Sequence, residues 1–219
     1  LMVIFLGISV IHPLSEVTVL NSPKNTNIIL KPMLSNCATV LSESNSVISK
    51  DLQSYLHAKG INKINTILQK ADDMEGIEII ASPQSSLTHQ LNLENPDHPI
   101  WYFHYNQLVF IVFTYLDYND ITYFLNHYDY LDVDVMILAN HGSTNANPSG
   151  LFDSIQPKVC ICINQPYLTG HLPSRAVIKE MNKRGIMWMD TGTYGDISFF
   201  GIFHKHFALT SSGKIVIIN

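Results

Sequence analysis

Between Asp134 and Met189 the chain alternates strand-like and helical runs, and few architectures accommodate that alternation. Asp134 to Ala139 is a strand candidate, Pro148 to Ile155 a helix and Val159 to Ile163 a buried strand. Pro173 to Arg184 then has a helix start at Pro173-Ser174 and Gly185 just past its end, and Ile186 to Met189 is a strand. Upstream the pattern is richer in strands: Val17 to Leu20, Asn27 to Leu30 and Ala38 to Leu41, separated by turn residues. Lys50 to Lys59 reads as a helix closed by Gly60, and Ile64 to Leu68 and Gly76 to Ala81 as strand or helix starts. Ser82 to Pro99 reads as a long loop, Trp101 to Thr114 as two strands around Tyr105-Asn106, and Ile121 to Tyr130 as a helix. Ile197 to Phe203 and Ile215 to Ile218 complete the strands. Strands followed by a strand-helix alternation predict an α/β layered fold, a sandwich of two mixed β-sheets flanked by helices.

The chain has 219 residues, 46% of them hydrophobic and 14% charged, enough for one sizeable core. Residues 1–12 read as an apolar segment, the tail of a membrane span or a first strand, and residues 13–219 as a single domain. The run Leu1 to Ile11 is shorter than the roughly 20 residues a spanning helix needs. It lacks the basic flank and cleavage site of a signal peptide, and a first residue of Leu rather than Met suggests a fragment. The formal net charge of −5 offers no field to draw in a polyanion, so any DNA contact is local or indirect. Cys160 and Cys162 alternate with Ile161 and Ile163, share one strand face and read as small hydrophobes.

The residues with chemical potential follow strand ends. His141 stands in Asn140-His141-Gly142-Ser143 at the end of one strand, and His171 follows the next strand. Together they could bind a metal or shuttle a proton; as ordinary loop histidines they would bond backbone groups. His89, His98, His104 and His127 lack ligand spacing, and His204-Lys205-His206 reads as an exposed turn. Asp72, Asp73 and Glu75 form an acidic cluster that could coordinate a hard cation through oxygens but reads rather as a solvated loop, while Asp132 and Asp134 mark the polar boundary of a strand. Ser143 as a nucleophile, with His171 as base and Asp73 as orienter, lacks a Gly-x-Ser-x-Gly elbow.

The stretch from Leu131 to Ile197 resembles the C-terminal part of the metallo-β-lactamase-like domain of the ComEC family of competence and DNA-internalisation proteins. The resemblance lies in Asn140-His141-Gly142-Ser143, Gln156-Pro157-Lys158-Val159, Tyr167-Leu168-Thr169-Gly170-His171, Lys183-Arg184-Gly185-Ile186, Thr191-Gly192 and Gly195. Upstream the motifs depart from the family. Its Leu-Asp-Val-Gly-Gln-Gly-Asp-Ala opening corresponds to Leu20-Asn21-Ser22-Pro23-Lys24-Asn25-Thr26-Asn27, and its His-x-His-x-Asp-His cluster to Gln69-Lys70-Ala71-Asp72-Asp73-Met74.

The resemblance implies a metallo-β-lactamase-like αββα sandwich, and the departures imply lost chemistry. A catalytic zinc needs about three protein ligands plus an open position. Ala71 and Met74 stand where the family has imidazoles, and of that cluster only Asp73 remains; a later family carboxylate falls near Asp117. The expected function is therefore a degenerate, non-catalytic domain of a DNA-uptake protein, with no cofactor. The alternative is an atypical metal-dependent hydrolase acting on DNA or another phosphodiester, holding zinc or manganese through Asp73, Asp117, His141 and His171. The expected partner is a membrane channel protein or domain of the uptake system. The chain is then membrane-associated if joined to such a parent and soluble otherwise.

Overall fold

A computed structural model describes residues 15–22, 26–42, 50–66, 78–81, 88–91, 100–164, 172–202 and 204–218. The chain begins with strands β1 (Glu16–Val19), β2 (Asn27–Lys31) and β3 (Cys37–Ser42), helix α1 (Lys50–Ala58), then β4 (Lys63–Thr66), β5 (Glu78–Ala81) and β6 (Thr88–Leu91). Next come β7 (Ile100–Tyr105), β8 (Leu108–Phe113), α2 (Tyr118–His127), β9 (Val135–Ile137), a 3-10 turn (Ala139–Gly142), α3 (Ser149–Ile155) and β10 (Val159–Cys162). The last part holds α4 (Arg175–Lys183), β11 (Met187–Asp190), α5 (Thr191–Tyr194), β12 (Ile197–Ile202), β13 (Lys205–Thr210) and β14 (Ile215–Ile218).

These strands form two mixed sheets. One has eight strands in the order β14-β13-β12-β1-β2-β3-β4-β5, the other six in the order β11-β10-β9-β8-β7-β6. The sequence dictates the layering through residue parity. In β10, Val159 and Ile161 face the eight-stranded sheet and join Val17, Leu30, Trp101, Phe110 and Phe199 in the core between the sheets. Cys160 and Cys162 face the other way, with Phe124, Phe152, Val177 and Met181 of α2, α3 and α4. A strand buried on both faces must be apolar at every position, as Val-Cys-Ile-Cys is. On the far side of the eight-stranded sheet, Leu52 and Leu56 of α1 cover Ile29, Val40 and Ile64. The result is α1, sheet, sheet, then α2 to α4. Edge-to-face packing of Phe110 on Phe199, 5.5 Å between ring centroids, joins the two sheets.

Several boundaries differ from the sequence reading. The segment read as a loop from Ser82 to Pro99 contains β6, whose four residues pair antiparallel with β7. Its apolar content is too low to signal a strand, and the pairing supplies the ladder. His204-Lys205-His206 is not all turn, because Lys205 and His206 open β13 opposite Ile202 and Gly201. Helix α2 runs from Tyr118 to His127, three residues earlier than read, because the Asp117 side chain caps it and Asp120 completes a reciprocal capping box.

Candidate active-edge site

Strands β8, β9, β10 and β11 run parallel to one another, so their carboxyl ends reach one edge of the sandwich. In open α/β sheets ligands gather outside such ends, because loops rather than strands close the layer there. The short segment from Asp190 through Asp196 carries the chain from the end of β11 to the start of β12. Ile197 then pairs with Val19, and Val19 with Ile28, so the turn between β1 and β2 lies at this same edge.

Each loop at the edge is anchored by a side chain. Asn140 lies in the left-handed region at φ 46, where Asn is tolerated, and its amide grips the loop after β8. The Leu116 amide donates to Asn140 Oδ1 at 2.7 Å, and Asn140 Nδ2 donates to the Leu116 carbonyl at 2.9 Å. Asn147 holds the start of the 3-10 turn in the same bidentate manner through Ala139. At Gly142, φ 76, an added Cβ would lie 2.7 Å from Pro173 Cβ, so only glycine fits. After β10, Asn164 Nδ2 donates to the Leu172 carbonyl, and the Thr191 hydroxyl donates to the Asn164 carbonyl at 3.0 Å. Asp190 caps α5 by accepting from the Thr193 amide at 2.7 Å, and Asp196 accepts from the Asn21 amide at 2.9 Å.

Of the four candidate residues, Asp117 and His141 are described, and Asp73 and His171 lie outside the described residues. Asp117 follows β8 and its Oδ1 accepts from the Asn119 and Asp120 amides at 2.8 and 2.9 Å. His141 follows β9, with Nδ1 2.5 Å from the Ile163 carbonyl oxygen. A carbonyl oxygen can only accept, so Nδ1 is the donor of this bond. The Asn140 clamp ties the loops bearing Asp117 and His141 together through Leu116. Among the described residues no three His, Cys, Asp or Glu side chains converge as a metal site.

The thiols are not substitutes. Burial pushes Cys160 and Cys162 well above the ordinary thiol range, with the Asp190 charge adding to the effect at Cys162, so both remain protonated. Cys162 Sγ donates to the His141 carbonyl at 3.0 Å, a structural use. A cavity of about 360 Å³ opens beside β11, with Asn164, Pro173, Arg175, Trp188, Asp190 and Thr193 among its walls.

The residues that the sequence reading passed over are the amides and hydroxyls Asn140, Asn147, Asn164 and Thr191. Their signal is faint. An Asn beside a strand end announces a left-handed position, but its bonding partner lies twenty or more residues away for Asn140 and Thr191. No protein-family model matches the chain, and no characterised protein matches it. Among the described residues no helix is long and apolar enough to cross a membrane.

Proposed function

We propose that this chain is a non-catalytic metallo-β-lactamase-like module of a ComEC-type DNA-uptake protein, with an interaction or scaffolding role beside a membrane channel. The supporting observation is how the carboxyl-edge groups are engaged. Asp117 and Asp190 cap helices, and Asn140, Asn164 and Thr191 fasten loop to loop, so the described edge is built to hold its loops. The residues present do not fit the dinuclear metal centre that the resemblance implies. Ala71 and Met74 offer no imidazole, and the Asp117 carboxylate already accepts two amide protons.

One observation favours the second reading, an atypical metal-dependent phosphodiesterase. His141 donates through Nδ1 to a backbone carbonyl, the arrangement that fixes a metal-binding imidazole with Nε2 presented. Elemental analysis of the purified chain, paired with a phosphodiesterase assay in the presence of zinc or manganese, separates the two. The expected result is no stoichiometric metal and no metal-dependent turnover. One bound metal per chain, with an activity that disappears in His141→Asn while folding is retained, overturns the non-catalytic reading.

A further inference from the structure

At the end of the sandwich opposite the carboxyl edge, two hairpin tips meet, one from each sheet. Asn106 and Gln107 turn β7 into β8 of the six-stranded sheet, and His204 stands at the return from β12 to β13 of the eight-stranded sheet. The Asn106 side chain ties the first tip to the second sheet, its Nδ2 donating to the Ser15 carbonyl at 2.7 Å just ahead of β1. A cavity of about 300 Å³ opens there, walled by Asn106, Gln107, Gly201, His204 and His206.

Strand parity sets His206 on the inner side of its sheet. Phe199 of β12 and Ala208 of β13 pair with each other in the core between the sheets, and Gly201 and His206 pair at the same parity, one step nearer the mouth. Lys205 has the opposite parity and faces away. The His206 ring lies over Gly201: a Cβ added there would stand 3.3 Å from His206 Cδ2, 3.6 Å from its Nε2 and 3.8 Å from the Asn106 carbonyl oxygen. An imidazole nitrogen of one hairpin and a carbonyl oxygen of the other therefore flank a single point. His204 sits at φ 62, a left-handed position that His adopts more readily than most residues, and its exposed side chain borders the same cavity. Among the described residues neither imidazole has a hydrogen-bond or ion-pair partner. Packing over Gly201 accounts for a ring at position 206, which any aromatic residue would supply. Two unpartnered imidazoles beside a carbonyl oxygen are a metal-donor set.

We propose that this cavity binds a divalent transition-metal ion, Zn²⁺ or Cu²⁺, through the His204 and His206 imidazoles, with oxygen supplied by the Asn106-Gln107 turn. Imidazole nitrogen suits these ions, whereas Mg²⁺ and Ca²⁺ need an oxygen shell that a cavity with no carboxylate among its described walls does not offer. An ion held there joins the two sheets. Two imidazoles at a solvent-open mouth hold it exchangeably, so the site fills when metal is added and is not carried through purification. The inference goes beyond the proposed function and does not depend on whether the opposite edge, where His141 stands, is catalytic.

Calorimetric titration of the metal-stripped full chain with zinc chloride tests it. Binding of one ion per chain is expected, with none of magnesium chloride. Loss of even an outer partner of a metal ligand costs about 10–100-fold in affinity, so His206→Gln and His204→Gln should each weaken zinc binding roughly tenfold or more. Both variants should unfold at the parent's temperature without metal, and His141→Asn should bind zinc as the parent does. Substoichiometric Cu²⁺ should broaden the amide resonances of Asn106 and Gln107 together with those of His204 and His206. No zinc binding by the parent, equal binding by the parent and both glutamine variants, or broadening that spares the Asn106-Gln107 turn overturns the inference. Zinc binding lost in His141→Asn and kept in His206→Gln also overturns it, and assigns the metal to the carboxyl edge.

Discussion

Asn147 and Ala139 form a closed pair: the Ala139 amide donates to Asn147 Oδ1 at 3.1 Å, and Asn147 Nδ2 donates back to the Ala139 carbonyl at 2.8 Å. The side-chain amide mimics a neighbouring strand just where β9 stops, and Nδ2 also reaches the Ser143 carbonyl at 2.8 Å. Both residues are buried, at 2% and 0% exposure, so water does not replace these bonds.

Asn147→Ala is therefore expected to leave a buried amide and carbonyl unpaired and to cost about 2–4 kcal/mol. Urea unfolding of the variant measures it. A loss under about 0.5 kcal/mol would mean that the turn re-forms its bonds another way.

His141 and Ile161 differ in what removal exposes. His141→Asn keeps a residue type that tolerates φ 55 and loses the Nδ1 bond to Ile163, an expected cost of about 1 kcal/mol. Ile161 is fully buried between the sheets, and Ile161→Ala should cost about 2–5 kcal/mol by leaving a cavity. Thermal unfolding of the two variants gives the order. If His141→Asn is the more damaging, the edge rather than the core governs stability.

Stability should fall in alkali through two tyrosines. Burial, reinforced by the Glu16 charge, pushes Tyr105 up to about 12 and raises Tyr55 further. A folded-state value above the unfolded one near 10.0 leaves stability intact below about pH 10 and removes it as pH rises toward 12. The Tyr105 hydroxyl stands near the Ser15 side chain without forming a well-made hydrogen bond, whereas Tyr55 donates to Thr18 Oγ1 at 2.8 Å. Tyr105→Phe should thus be near neutral at pH 7 and flatten the alkaline fall, and Tyr55→Phe should already cost stability at neutral pH. Urea midpoints measured from neutral pH to about pH 11 check this; an unchanged alkaline slope in Tyr105→Phe would refute it.

What was legible in the sequence is what local pattern encodes. The parity of Val159 to Cys162 announced a strand buried on both faces, Gly60 and Gly185 marked helix ends, and the alternation from Asp134 onward implied helices laid on sheets. Two elements were not legible for the same reason. In β6, Thr88 to Leu91 carries little apolar signal and is a strand because Trp101 and Tyr102 lie opposite it; in β13, Lys205 and His206 are strand residues because β12 pairs with them. At the edge, the sequence singled out His141 as a histidine at a strand end, and Asp117 only through the family resemblance. The Asp117 cap is local, its partners standing two and three residues on, and the Asp-x-x-Asp pattern carries it in one dimension. Only the tertiary structure decided that His141 bonds Ile163 and that Asn140 joins the loops, because those partners lie more than twenty residues away. Hydrophobic periodicity is a local property and survives in one dimension; hydrogen-bond complementarity between distant loops exists only once packing has brought them together.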